Sequence, residues 1–269
     1  MAAGTTRTAI TSDGGLVEEF PDDTLPAFVA AVAAGADRIE LDVHHSRDGH
    51  LVVHHPFHLG EGGTAPQYPS TRHDIARSAT TVESLTLAEL RALDAGGWAG
   101  PEHAGVTIPT LAEVVDACPG VGLEVDLKTR SRAFVADVVA LLRERDVLDR
   151  VEFTSSEHFL LAEVLRHEPD AELGTFHYGD PGPADRALAQ DLTLGEMAVG
   201  GVRVLHAPLS LLDPPFVARA RAAGHRVHAS NTDTREQLVQ AYELGVDQLS
   251  TCSLRLALAV RDEVAAARD

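Results

Sequence analysis

The sequence predicts an α/β protein folded as a single (β/α)8 barrel. Three observations predict it. Strand-like and helix-like stretches alternate from end to end, as in parallel strands joined by crossover helices. The chain has 269 residues, which suits one barrel domain over 1–269. Hydrophobic residues make up 44% but aromatics only 4%, so the core must rest on Val, Leu, Ile and Ala, the residues of parallel strands and their covering helices.

The elements follow in order. Thr8 to Thr11 reads as a short first strand. A helix from Thr24 to Ala34 has Asp22 or Asp23 as N-cap and Gly35 as terminator. Arg38 to Val43 and Leu51 to His54 are strands. Leu87 to Leu93 and Leu111 to Ala117 are helical, the second opened by Pro109-Thr110. Strands at Gly122–Lys128, Val151–Thr154 and Leu173–Phe176 then alternate with helices at Phe134–Glu144 and Phe159–His167. Val202–His206 is the next strand and Pro215–Ala223 the helix after it. Val227–Ser230, a helix at Arg235–Leu244, the strand Gln248–Thr251 and a C-terminal helix complete the chain. An irregular insert rich in Gly, Pro, Thr and His, at about 56–84, breaks this rhythm; inserts of that length in a compact domain are usually functional or disordered.

A formal charge of −19 repels nucleic-acid phosphates and anionic lipid headgroups, so neither is an expected partner. It also opposes the approach of an anionic substrate, which a bound cation would help overcome. Cys118 and Cys252 share no motif and read as small buried hydrophobes. Met1 to Gly15 lacks the apolar segment of a signal peptide, and no apolar run reaches about 18 residues, so a cytoplasmic protein without a membrane span is expected.

Chemistry in barrels sits at the C-terminal ends of the strands. Glu40 and Asp42 are two apart on one apolar strand and therefore share its interior face. Two buried carboxylates repel each other unless a cation offsets them, and hard oxygen donors suit Mg²⁺ or Ca²⁺. The strand Leu123 to Lys128 repeats the device with Glu124, Asp126 and Lys128. Asp126 can complete a three-carboxylate site for one divalent cation, and Lys128 can reach a phosphoryl oxygen. The alternative is a buried salt bridge between Lys128 and the acids with no metal. His54-His55 closes a neighbouring strand, where a histidine can act as general acid or base. His158, His167, His206 and His225 read as ordinary surface or internally satisfied histidines.

Several runs together resemble the glycerophosphodiester phosphodiesterase family. They are Pro21 to Phe28, Gly35 to Val43, Asp48 to His55, Leu85 to Asp94 and Ile108 to Val114, followed by Val227-His228-Ala229 and Gly245-Val246-Asp247. The resemblance implies a TIM barrel of the phosphatidylinositol-phosphodiesterase-like type. It implies a divalent metal held by Glu40, Asp42 and Asp126, a phosphate-contacting Lys128, and two histidines that relay protons, of which His55 matches the second. The first is absent. The family's His-Arg-Gly on strand one is replaced by Ser12-Asp13-Gly14, with Ser12 at the histidine position and Asp13 at the arginine position. Pro56 follows His55 where Asp is usual, Asp126 stands where Glu is commoner, and Cys252 where Asp is common. Losing an acid/base commonly costs about 10²- to 10⁴-fold in rate. His44, two residues past Asp42, either stands in for it or lies in the following loop. Ser12, Asp13, Glu124 and His54 are expected to contact substrate, and His58, His73 and Arg77 of the insert are further candidates.

The expected activity is metal-dependent hydrolysis of a small phosphodiester. Asp126-Leu127-Lys128-Thr129 also resembles the sphingomyelinase D-like branch, which implies a lyase or cyclase alternative on another phosphorylated or pyrophosphorylated small molecule. A catalytically inactive barrel serving as a binding protein is the third reading. It does not explain why Glu40, Asp42, Asp126, Lys128 and His55 are retained together.

Overall fold

Nine strands organise the described residues: β1 (Ala9–Ser12), β2 (Arg38–His45), β3 (Leu51–Val53), β4 (Gly122–Leu127), β5 (Val151–Thr154), β6 (Glu172–Phe176), β7 (Val204–Pro208), β8 (Arg226–Ser230) and β9 (Gln248–Thr251). All but β3 run parallel, in the order β1-β9-β8-β7-β6-β5-β4-β2, and β1 pairs with both β9 and β2, which closes the barrel. β3 is antiparallel to the end of β2 and stands outside the ring. The computed structural model describes residues 7–57, 59, 80–176 and 182–267. Most of the insert, including His58, His73 and Arg77, lies outside the described residues.

The helices are α1 (Leu25–Ala34), α2 (Leu87–Arg91), α3 (Leu111–Ala117), α4 (Arg132–Glu144), α5 (His158–His167), α6 (Gly182–Gly200), α7 (Pro214–Ala222), α8 (Arg235–Leu244) and α9 (Leu254–Ala266). Their starts follow local chemistry. Capping boxes of Thr86 with Glu89, Thr110 with Glu113, and Thr234 with Gln237 satisfy backbone groups at the starts of α2, α3 and α8. Gly35 and Gly245 end α1 and α8 in the left-handed conformation.

Strand alternation divides the side chains into two populations. Ile39, Leu41, Val43, Leu123, Val125, Leu127, Phe153, Leu205, Val227 and Leu249 point outward and pack with Phe28, Phe134, Val138 and Phe216 of the helices in one apolar layer. Barrel interiors are commonly filled by branched aliphatics. This one carries Glu40, Asp42, His44, Glu124, Asp126, Glu152, His206 and His228, every one of them buried.

Four expectations need correction. The cap of α1 is Thr24, not Asp22 or Asp23. Asp23 instead takes a left-handed φ of 54° and is buried at 2% exposure. β2 continues to His45 because the hairpin with β3 prolongs it, so His44 is a strand residue paired with Val52 rather than part of a loop. β7 begins at Val204, not at Val202. α6, 19 residues long, is absent from the sequence-based elements, since its Gly182, Pro183, Thr193 and Gly195 dilute any helical signal.

Candidate active site

Parallel pairing sets Asp42 opposite Asp126 and Glu40 opposite Glu124. The site therefore follows from register: each acid lies on an interior position of β2 or β4, with Asp42 and Asp126 two residues nearer the strands' C-terminal ends than Glu40 and Glu124. Glu40, Asp42 and Asp126 each bring a carboxylate oxygen within 4.8 Å of the others. The Lys128 ammonium sits between two of them, 2.7 Å from Asp42 Oδ1 and in contact with Asp126. Burial alone would lower the lysine's pKa, but Asp126, Asp42 and Glu40 hold it well above its ordinary value. Burial, then Asp42, Asp13 and Asp23, push the Glu40 carboxyl well above the usual range. Asp126 is raised by burial against the pull of Lys128. For Asp42, burial is outweighed by Lys128, His55 and His44, and the carboxyl stays low.

One lysine does not neutralise this group. Glu40 Oε2 and Asp42 Oδ2 are buried without a hydrogen-bond partner. Buried oxygens of that kind are costly unless something positive meets them. A hard divalent cation fits the donor set, which is all carboxylate oxygen.

The histidines arrange themselves around these acids. The His55 backbone N–H donates to Asp23 Oδ2 at 2.9 Å, which fixes the half-buried His55 beside the acids. His44 is fully buried, edge-on to Phe57 at 5.0 Å. Burial, then the nearby His54 and Lys128 charges, lower its pKa to about 3, so it is a neutral imidazole near neutral pH. His54 is also buried and lowered to about 4, by burial and then His55, and its backbone N–H donates to Asp42 O. His54 is thus packed beneath the surface, directly after β3 and beside Asp42.

On β1 the register reassigns the interior position. Ser12 pairs with Ile39 and Thr251, and Ile39 belongs to the apolar layer. Ser12 therefore faces away from the interior, and its hydroxyl donates to Gly15 O at 2.8 Å. Asp13, one residue on, falls on the interior side, and its charge raises both Glu40 and Asp23. The turn that follows needs glycine. Gly15 has a φ of 92°, and a Cβ there would lie 2.6 Å from the backbone of Ala27 in α1. Asp23 was missed because, with Asp22, it was read as a candidate cap of α1, whereas its carboxylate instead accepts from the His55 backbone.

Glu124 is also displaced from its expected role. It is buried two residues below Asp126, with Oε1 3.3 Å from His206 Nδ1, so it faces a deeper cluster rather than a substrate. His206, read from sequence as ordinary, is 1% exposed and lies between Glu124 and Glu152. Its pKa is raised: burial opposes the charge, and the two glutamates overcome it.

Beside the mouth, Phe57, Thr81, Glu83, Thr129, Arg130 and Ser131 line a cleft of about 410 Å³, with Arg130 5.8 Å above the Phe57 ring. Among the described residues no helix is long and apolar enough to cross a membrane.

Residues 15–251 match the glycerophosphoryl diester phosphodiesterase family. The glycerophosphodiester phosphodiesterase of Caldanaerobacter subterraneus subsp. tengcongensis is 26% identical over 251 residues, covering 91% of this chain and 94% of that protein. A crystal structure from Silicibacter pomeroyi, described as a putative glycerophosphoryl diester phosphodiesterase, superposes with a TM-score of 0.81 at 24% identity, over 96% of this chain and 94% of that one. An Oleispira antarctica phosphodiesterase, solved with the product sn-glycerol-3-phosphate, gives 0.78 at 24% identity, over 94% and 96%. With its fold and its ordered motifs shared along nearly the whole match, this chain belongs to the glycerophosphoryl diester phosphodiesterase family.

Proposed function

We propose that the protein is a hydrolase of small glycerophosphodiesters that depends on one divalent cation, Mg²⁺ or Ca²⁺, held by Glu40, Asp42 and Asp126. The observation that carries this reading is the convergence of those carboxylates on one point at the barrel mouth, with Lys128 between two of them. The likeness to the Oleispira antarctica phosphodiesterase, solved with sn-glycerol-3-phosphate, supports a substrate that carries a glycerophosphoryl group. When bound, the cation would supply Lewis-acid polarisation of the phosphoryl group.

The residues divide the remaining work. Lys128 neutralises charge that develops on a phosphoryl oxygen. His55 donates a proton to the departing alcohol oxygen as its bond to phosphorus breaks, while a water oxygen forms the new bond. Asp13, immediately after β1, takes the proton from that water. Arg130, at the edge of the cleft, holds the far part of the anion. Water as nucleophile gives a phosphomonoester and an alcohol. An internal hydroxyl as nucleophile gives a cyclic phosphate, and the loss of the strand-one histidine keeps that second outcome in view.

The test is ³¹P NMR of a glycerophosphodiester incubated with the protein and saturating Mg²⁺ or Ca²⁺. A phosphomonoester that disappears with Glu40→Gln supports the reading. A cyclic phosphate as sole final product moves the assignment to a lyase. An intact diester under both cations overturns it in favour of a binding barrel.

A further inference from the structure

We infer that Glu124, His206 and His228 form a second cation site inside the barrel, of the kind that takes Zn²⁺, Co²⁺, Mn²⁺ or Fe²⁺. Glu124, Glu152, His206 and His228 come from β4, β5, β7 and β8, all buried, and each offers a donor atom within 4.8 Å of the others. The group shares no residue with the acids at the mouth, so this site stands or falls apart from the hydrolase assignment.

The distances favour three ligands and one supporting acid. Donors around a tetrahedral ion with bonds of about 2.0–2.1 Å lie about 3.3 Å apart. Glu124 Oε1 is 3.3 Å from His206 Nδ1, and Glu124 Oε2 is 3.7 Å from His228 Nδ1. Glu152 does something else. Its Oε1 meets the opposite nitrogen of His206, Nε2, at 2.5 Å. A carboxylate that accepts from one ring nitrogen leaves the other as a lone-pair donor, which is how metal-ligating histidines are commonly held. Two imidazoles and one carboxylate suit borderline transition ions better than Mg²⁺ or Ca²⁺.

Two further observations point to a ligand. Glu124 Oε2 and His228 Nε2 have no hydrogen-bond partner, in side chains that are 2% and 0% exposed. In addition, β6 contributes no side chain at this level. A Cβ on Gly174 would stand 2.5 Å from Glu152 Oε1 and 2.7 Å from His206 Nε2, so glycine is what lets this pair form. An ion network without metal accounts for Glu152, which also meets Arg38 NH2 at 3.5 Å and accepts from Gln248 at 3.0 Å. Gln248 Nε2 also lies 3.3 Å from His228 Nδ1. The network still leaves His228 Nε2 unmatched and gives Glu124 Oε2 no hydrogen bond, only His228 Nδ1 at 3.7 Å.

The experiment is Co²⁺ binding to the full chain, with metal counted per protein and the ligands read by X-ray absorption. The wild-type protein is expected to bind two Co²⁺. The Glu40→Gln, Asp126→Asn double variant should keep one, with imidazole scattering, and adding His228→Gln should release it. A double variant that binds no Co²⁺, or binds it through oxygen alone, overturns the inference. If the triple variant fails to fold by circular dichroism, the absorption spectrum of the double variant decides alone. Should the wild type leave diesters intact while the double variant keeps imidazole-bound Co²⁺, the hydrolase reading falls and this one stands.

Discussion

The carboxylates at the barrel mouth and those beneath them share one interior, but they meet different partners. Glu40, Asp42 and Asp126 face a single lysine, and burial together with the surrounding negative charge pushes Glu40 well above its ordinary range. Glu152, two strands further round on β5, has His206, Arg38 and His228 around it; burial alone would raise its pKa, but those neighbours depress it. Glu124, between the two groups, is raised by burial to about 8 despite His206. The difference teaches how buried acids can be read. A deficit of positive charge marks a place kept ready for a cation, whereas a satisfied acid holds its neighbours in position.

Three changes would break or sharpen this contrast. The largest is His55→Gln, which leaves the acids intact and removes the proton donor. Turnover is expected to fall about 10²- to 10⁴-fold with divalent-cation binding unchanged, measured by steady-state assay and by calorimetric titration. Next is a pair of neutral substitutions compared in chelator. Glu152→Gln strips His206 of its closest acid and should cost about 3–5 kcal/mol in urea unfolding, as broken buried ion pairs do. Glu40→Gln removes one of several like charges and should leave stability unchanged or raise it. Equal losses for the two would erase the distinction drawn here. The smallest is Gly174→Ala, whose methyl would press on Glu152 and His206. It should cost about 1–3 kcal/mol by thermal melting while Mg²⁺ affinity at the mouth stays unchanged.

Much of the barrel was legible because its outward strand faces are so regular. Ile39-Leu41-Val43 and Leu123-Val125-Leu127 alternate with acids, and that alternation placed Glu40, Asp42 and Asp126 together before any pairing was known. What sequence could not supply was register between distant strands. Ser12 and Asp13 differ by one position, and only the pairing of Ser12 with Ile39 turns Asp13 inward. The deeper cluster was hidden for a related reason. Glu152, His206 and His228 are each unremarkable on their own strands, Glu124 stands out only as an inward acid, and closure of the barrel alone brings the four together. The one available signal was a histidine at the middle of both His206 and His228 strands, where an aliphatic residue is the ordinary choice.

The central claim is that the acids at the mouth hold a cation that the phosphodiester reaction requires. Its most direct test strips the protein with chelator and then returns Mg²⁺ or Ca²⁺ stepwise while glycerophosphodiester cleavage is followed. Cleavage should vanish on stripping and return with one equivalent of cation, and Asp126→Asn should abolish that return. Full cleavage by the stripped protein, or an unchanged return in Asp126→Asn, would contradict it.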